Sequence, residues 1–255
     1  MKYPAPSCTL SDPSYIVRPV GTSVDTYERF PMSHVIPATP RGRKARQSSY
    51  RRNTGEILPP VGEMERNLCS VLDAATEADI TEGVAWYPAA HAIAADIATG
   101  YGLSVAQAAG VLAALSPQNG WASNIAMAVD AAAAGSADGI GHYTDATDKA
   151  SAILDGADPF DVLGGRKVRS FYPNILHPHR NGPVTVDRHM VDLLVGRRGA
   201  VKDRILERAG IYAQCAAVIR KVARDRGMLA HEVQAVAWVA WRNLHDVAYR
   251  FDANF

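Results

Sequence analysis

No run of about 18 apolar residues occurs anywhere in the 255 residues, so no segment reads as a membrane span. Cysteine is scarce. Cys8, Cys69 and Cys215 lie far apart, with no CxxC pair and no group of four, which argues against structural zinc and against an iron–sulfur cluster. Three reduced thiols are the plain expectation. The opening MKYPAPSCTLSDPSY has no apolar core of the kind a secretory signal needs, so a cytoplasmic protein is expected. Alternating apolar and polar runs, the mark of half-buried strands, are thin throughout. Nothing in the chain calls for a metal or an organic cofactor, and none is expected.

Positive charge is present but uneven. The net charge is only +1. Residues 1–60 hold nine Lys or Arg against four Asp or Glu, whereas the remainder holds 18 against 22. The basic charge peaks in TPRGRKARQSSYRR, residues 39–52. Most of the fifteen prolines also fall in residues 1–60. This stretch reads as a basic, proline-rich arm, partly disordered, with charge suited to phosphates or simply to solvent.

From residue 61 to 255 the pattern is helical. Met64, Leu68, Val71 and Leu72 form the i, i+4, i+7, i+8 stripe of an amphipathic helix. A second helix runs to Gly102, with Thr81 as its expected cap or Pro88 as its start. Ser104 caps a third, which Pro117 stops at Ser116. Further helices are expected near 120–134, 144–154, a short turn after Asp158, then RKVRSFYPNIL, a helix from Asp187 to Val195, and two long ones near 203–226 and 230–248. The fold class is all-α, built from many medium-length helices.

Three segments then occur in a telling order: Leu115-Ser116-Pro117-Gln118, Gly164-Gly165-Arg166-Lys167 and Val186-Asp187-Arg188-His189. Together, over roughly residues 104–195, this order resembles the helix-hairpin-helix (HhH-GPD) DNA glycosylases of the endonuclease III type. Those proteins have a Leu-Ser-x-Gln turn, a glycine hairpin followed by basic residues, and a Val-Asp-Thr-His helix start. The resemblance implies a multi-helix glycosylase-like domain that binds duplex DNA by its phosphates and acts on a flipped base.

Residue by residue, the resemblance implies the following. Asp187 is the central catalytic carboxylate, able to stabilise the oxocarbenium-like charge that grows on a sugar as its base departs. Asp is also a favoured N-cap, and a cap that holds the carboxylate still is compatible with catalysis. Lys167 falls where bifunctional members carry a Schiff-base lysine, or it binds phosphate instead. Gly164 and Gly165 let a DNA backbone approach the free N–H groups of the following helix, and Arg166 and Arg169 add charge there. Gln118 and Asn119 sit on the turn that fills the gap left by an extruded base. Trp121 either stacks on that base or belongs to the core. His189 either bonds near Asp187 or is a partly buried histidine.

In the C-terminal segment, Gln234, Trp238, Trp241 and Arg242 share one helix face. Gln234, Trp238 and Arg242 are candidates for a base or substrate pocket, with core packing as the alternative. Three functions are compatible with these features. The first is a DNA glycosylase working in a bacterial or phage-infected cell. The second is a phage-type transferase that hypermodifies a base, usually thymine, on the same fold; adjacent hairpin glycines and a Trp-rich C-terminal segment in place of cluster cysteines suit it. The third is a helix-hairpin-helix module that holds DNA without chemistry.

Overall fold

The computed structural model describes residues 58–200 and 204–245. The basic arm assigned to residues 1–60 lies outside them, save for its last three residues. Among the described residues there are ten α-helices and no strand. They are α1 (Val61–Ala74), α2 (Glu77–Tyr101), α3 (Val105–Ala114), α4 (Trp121–Ala134), α5 (Thr144–Leu154), α6 (Pro159–Val162), α7 (Arg166–Leu176), α8 (Arg188–Val195), α9 (Ile211–Arg226) and α10 (Ala230–Leu244). A single 3₁₀ turn, Ile205–Glu207, precedes α9. The all-α expectation holds.

Local chemistry explains most boundaries. Ser104 caps α3 by accepting from the Gln107 amide, and Gln107 returns the bond to Ser104. Asp158 caps α6 from the residue before Pro159. Gly135 and Gly196 close α4 and α8 in the left-handed region. Two expectations need correction. The cap of α2 is Thr76, not Thr81, and its reciprocal partner is Asp79. Pro88 does not start that helix but lies inside it. Its ring forfeits one N–H, yet Trp86, Tyr87, Ala90 and Ala94 are all buried on either side, and that packing outweighs the lost bond. The helix expected from 203 begins only at Ile211, after Gly210 takes up φ 91°. Cys215 is a free buried thiol, its ionisation pushed up to about 12 by burial.

Two apolar cores organise the helices. One gathers α3, α4, α5, α7 and much of α2, with small alanines allowing close approach. The other gathers α1, α8, α9 and α10, joined by Val184 and Val186 of the extended segment before α8. The two meet where α2 crosses α10, the most extensive helix pair in the fold. Gly83 makes that crossing possible: a Cβ there would sit 2.4 Å from the Val236 Cα. No single described helix is long and apolar enough to cross a membrane. The pair α2 and α3 reaches that length and composition only together, across a 116° bend.

Candidate functional site

A cavity of about 380 Å³ opens at the junction of the two cores. That lies within the range of roughly 300–1,000 Å³ for pockets that enclose a small molecule. Its wall is largely aromatic, centred on Trp86. The Trp86 ring lies 5.1 Å from Trp121, 5.6 Å from Phe171 and 6.5 Å from Trp238, centroid to centroid. Such a wall offers faces and edges to a flat ring.

Asp187 stands on this wall. It is the N-cap of α8, and its Oδ1 accepts from the Met190 amide at 2.9 Å. Its Oδ2 accepts from the Trp238 indole N–H at 3.0 Å. Each carboxylate oxygen therefore has one fixed donor and further lone pairs to offer. The Arg242 guanidinium lies over the Trp238 ring, 4.4 Å from its centroid, so the indole is held at its face by Arg242 and at its N–H edge by Asp187.

The segment leading into Asp187 is anchored by Tyr212 on α9. The phenol has one proton, donated to the Val184 carbonyl at 2.7 Å, with the Arg166 carbonyl at 3.2 Å. It accepts from the Val186 amide at 3.2 Å and pairs with the Ser170 hydroxyl at 3.0 Å. Arg166 and Ser170 belong to α7, the helix that carries Lys167. A single buried oxygen thus fixes the Asp187 approach against the Lys167 helix.

Lys167 lines the same cavity and has no ion-pair partner among the described residues. It sits on the first turn of α7, which follows the Gly164-Gly165 hairpin. Gly165 adopts φ 70°, open to glycine at little cost, and no side chain caps α7. A Cβ at Gly165 would meet nothing within 4 Å, so the hairpin is open on that side. Arg166 is exposed there. Arg169 is used differently: its guanidinium donates to the Phe160 carbonyl at 3.0 Å, tying α7 to α6.

The structure brings Asn119, Trp121, Gln234, Trp238 and Arg242 to the wall of this cavity beside Asp187 and Lys167. Gln118 is exposed on the neighbouring turn, in the left-handed region at φ 54°, and its side chain accepts from the Tyr143 hydroxyl. Asn119 donates to the Leu115 carbonyl at 3.2 Å, so part of its amide braces the turn. His189 does not line the cavity. Burial holds its ionisation below the ordinary histidine range, with Arg188 and Arg242 acting the same way against the opposing pull of Asp187. Trp241 is buried in the second core.

Several wall residues carried no signal in the sequence beyond looking like core: Trp86, Tyr87, Asn124, Phe171 and Thr185. The Trp86-Tyr87 pair inside an otherwise alanine-rich helix is the one clue that bulky side chains gather there. Among the described residues no group of three or more His, Cys, Asp or Glu is placed to hold a metal.

Fold and cavity together define an all-helical domain with an aromatic pocket bearing one anchored carboxylate. The chain belongs to a family of unknown function, DUF7178, which matches residues 58–245. No curated protein and no solved structure matches it.

Proposed function

We propose that this protein acts on a base turned out of duplex DNA and breaks the bond between that base and its sugar. One observation carries the reading. A single cavity of suitable size joins an aromatic wall, the anchored Asp187 carboxylate and the Lys167 amine beside an uncapped, glycine-led helix start. A flipped base stacks among Trp86, Trp121 and Trp238. The phosphates flanking its nucleotide lie along the hairpin, where free amides, Arg166 and Lys167 supply positive potential.

As the C1′–N bond lengthens, the electron pair leaves with the base and positive charge spreads over C1′ and the ring oxygen. Asp187, held by Met190 and Trp238, faces that charge without having to reorganise. Water then adds at C1′ and its proton ends on the released base, so the sum is hydrolysis. If the Lys167 amine attacks C1′ instead, the base leaves, the sugar ring opens and an imine joins Lys167 to C1′.

Mass spectrometry on duplexes carrying damaged, mismatched and phage-type modified bases tests this reading. Free base with an abasic site left behind is expected from the natural chain. Asp187→Asn keeps an oxygen for the Met190 amide, while its NH2 then meets the Trp238 indole N–H, so it should fold with some loss of stability yet lose about a hundredfold or more of the rate. Equal activity in that variant would falsify the role of Asp187. An unbroken strand with a changed base mass would assign the protein to base modification. Binding without any change in mass would leave a DNA-holding module. Borohydride should trap the natural chain on DNA, but not Lys167→Ala, if the imine forms.

A further inference from the structure

Trp238 and Arg242 stand four residues apart on α10, so one face of that helix carries both side chains to the cavity they line. The guanidinium lies 4.4 Å from the centre of the indole, the spacing of a cation resting on a ring face. The indole N–H lies in the plane of that ring and donates to Asp187 Oδ2 at 3.0 Å. Trp86 packs against Trp238 at 6.5 Å, with the two planes 72° apart. A tilt of the indole would disturb both ring contacts and swing the N–H away from the carboxylate.

Asp187 takes neutral donors at both oxygens, the Met190 amide at Oδ1 and the Trp238 indole at Oδ2. The cation of Arg242 therefore bears on Asp187 through the indole. It also faces carboxylates on α2. Burial and the neighbouring Asp79 push the Glu82 carboxyl up, and Arg242 pulls it back. Asp79 in turn accepts from Asn243, the residue after Arg242, at 2.6 Å. Carboxylates on α2 thus compete with Asp187 for the cation.

We infer that Arg242 is a positioning residue for Asp187, acting through Trp238. Its charge over the ring does two things. It fixes the plane of the indole, and with it the direction of the N–H. It also draws electron density from the ring, which makes the N–H a stronger donor to the carboxylate. Asp187 is then held at Oδ1 by the start of its own helix and at Oδ2 by α10. A carboxylate fixed at both oxygens need not reorganise as positive charge develops near it. The effect on rate rests on the proposed release of a base; the effect on the indole does not.

The test uses the full chain labelled with ¹⁵N, whose four tryptophans give four indole signals. Trp238→Phe removes one signal and so identifies it. In the natural chain the Trp238 indole proton should lie downfield and exchange slowly with solvent, because a carboxylate accepts it. Arg242→Met keeps a long apolar side chain against the ring without the charge. The signal should then move upfield, and exchange should quicken by roughly two- to thirtyfold, the range of a cation–π contact. Arg242→Lys keeps a cation and should return most of the shift. Circular dichroism checks that each variant is folded, and Arg242→Gln replaces Arg242→Met if that one is not.

Kinetics on a duplex from which the natural chain releases a base give the second readout. Arg242→Met should lower kcat by roughly tenfold with KM changed by no more than about twofold, and Arg242→Lys should recover most of kcat. In Trp238→Phe the N–H is already gone, so adding Arg242→Met should cost no more than roughly twofold further. An unmoved Trp238 signal in Arg242→Met would overturn the inference, whatever the reaction. So would a loss carried by KM, which would make Arg242 a ligand-binding group, or full additivity of the two substitutions. If the natural chain releases no base, the proposed reaction falls and the indole signal alone decides the inference.

Discussion

Replacing Gly83 with alanine should unfold the site from a distance. Gly83 lies in the second turn of α2, where α10 passes over it. An added Cβ would stand 2.4 Å from the Val236 Cα and 2.7 Å from both its amide nitrogen and its Cγ2. Ordinary contact begins near 3.4 Å, so the helices must part by about 1 Å. Two of the three crowded atoms are backbone, so a rotamer change gives no relief. Alanine gains about 1 kcal/mol of helix propensity over glycine, while overpacking a tight core costs about 1–3 kcal/mol and at a backbone crossing more. The net loss should be about 2 kcal/mol, lowering Tm by about 4–8 °C in a domain of this size. Gly100, on the same helix, is the control. Nothing lies within 4 Å of its would-be Cβ, so Gly100→Ala should raise stability by about 0.5–1 kcal/mol. Urea titration followed by circular dichroism measures both. Parting α2 from α10 also moves Gln234 and Trp238 away from Tyr87 and Asp187, so ring binding should fall with stability. If Gly83→Ala proves as stable as the natural chain, the packing of α2 on α10 described here is wrong.

Three further outcomes follow from the same geometry. Trp238→Phe keeps a ring under Arg242 but removes the N–H held by Asp187, so base release should slow by about tenfold while Tm moves little; an unchanged rate would refute the anchoring role. Tyr212→Phe strips the oxygen shared by Val184, Val186 and Ser170, and should cost about 1–3 kcal/mol in urea titration. A loss below about 0.5 kcal/mol would show that other groups hold the segment. His231 is fully buried, donates from Nε2 to the Pro178 carbonyl at 2.9 Å and has no partner on Nδ1. Burial depresses its ionisation, so the unfolded chain takes up the proton more readily than the folded one. Stability should therefore fall as pH drops through about 6.5 toward the lower folded value, and the fall should be shallower in His231→Gln, which keeps a donor. Parallel slopes for the two proteins from pH 8 to 5 would contradict this.

Which features were legible in the sequence follows from how local their causes are. Caps at Ser104, Asp158 and Asp187, and the glycine stops at 135 and 196, act within a few residues and can be read directly. The Thr76 cap was obscured because Asp serves at the third helical position where Glu or Gln is the familiar partner. Pro88 misled for the opposite reason: a local rule argues for a break, and burial of the residues around it overrides that rule. Lys167, Asp187 and Asn119 were within reach because short motifs carry them. What no local pattern could supply is the closure of the site. Trp238 lies 51 residues from the carboxylate it holds, and Tyr212 lies 28 and 42 residues from the partners it joins. Periodicity puts Trp238 on a helix face with Gln234 and Arg242 but cannot pair it with Asp187, and Tyr212 reads as one more large side chain on an amphipathic helix.

The same distinction separates two kinds of polar residue at the cavity. The charged groups, Asp187 and Lys167, stand at helix starts, where chain direction alone aims them and where a cap or a hairpin fixes them cheaply. Asn124 and Gln234 are buried polar groups further along their helices, and partners 12 and 147 residues away hold their amides: Asn124 donates to the Leu112 carbonyl at 3.0 Å, and Gln234 accepts from the Tyr87 hydroxyl at 2.8 Å. Tyr87→Phe removes the second of these bonds and leaves a buried amide oxygen without its donor, so it should cost about 1–3 kcal/mol in urea titration. A loss below about 0.5 kcal/mol would mean that Gln234 turns to another partner when the phenol is gone.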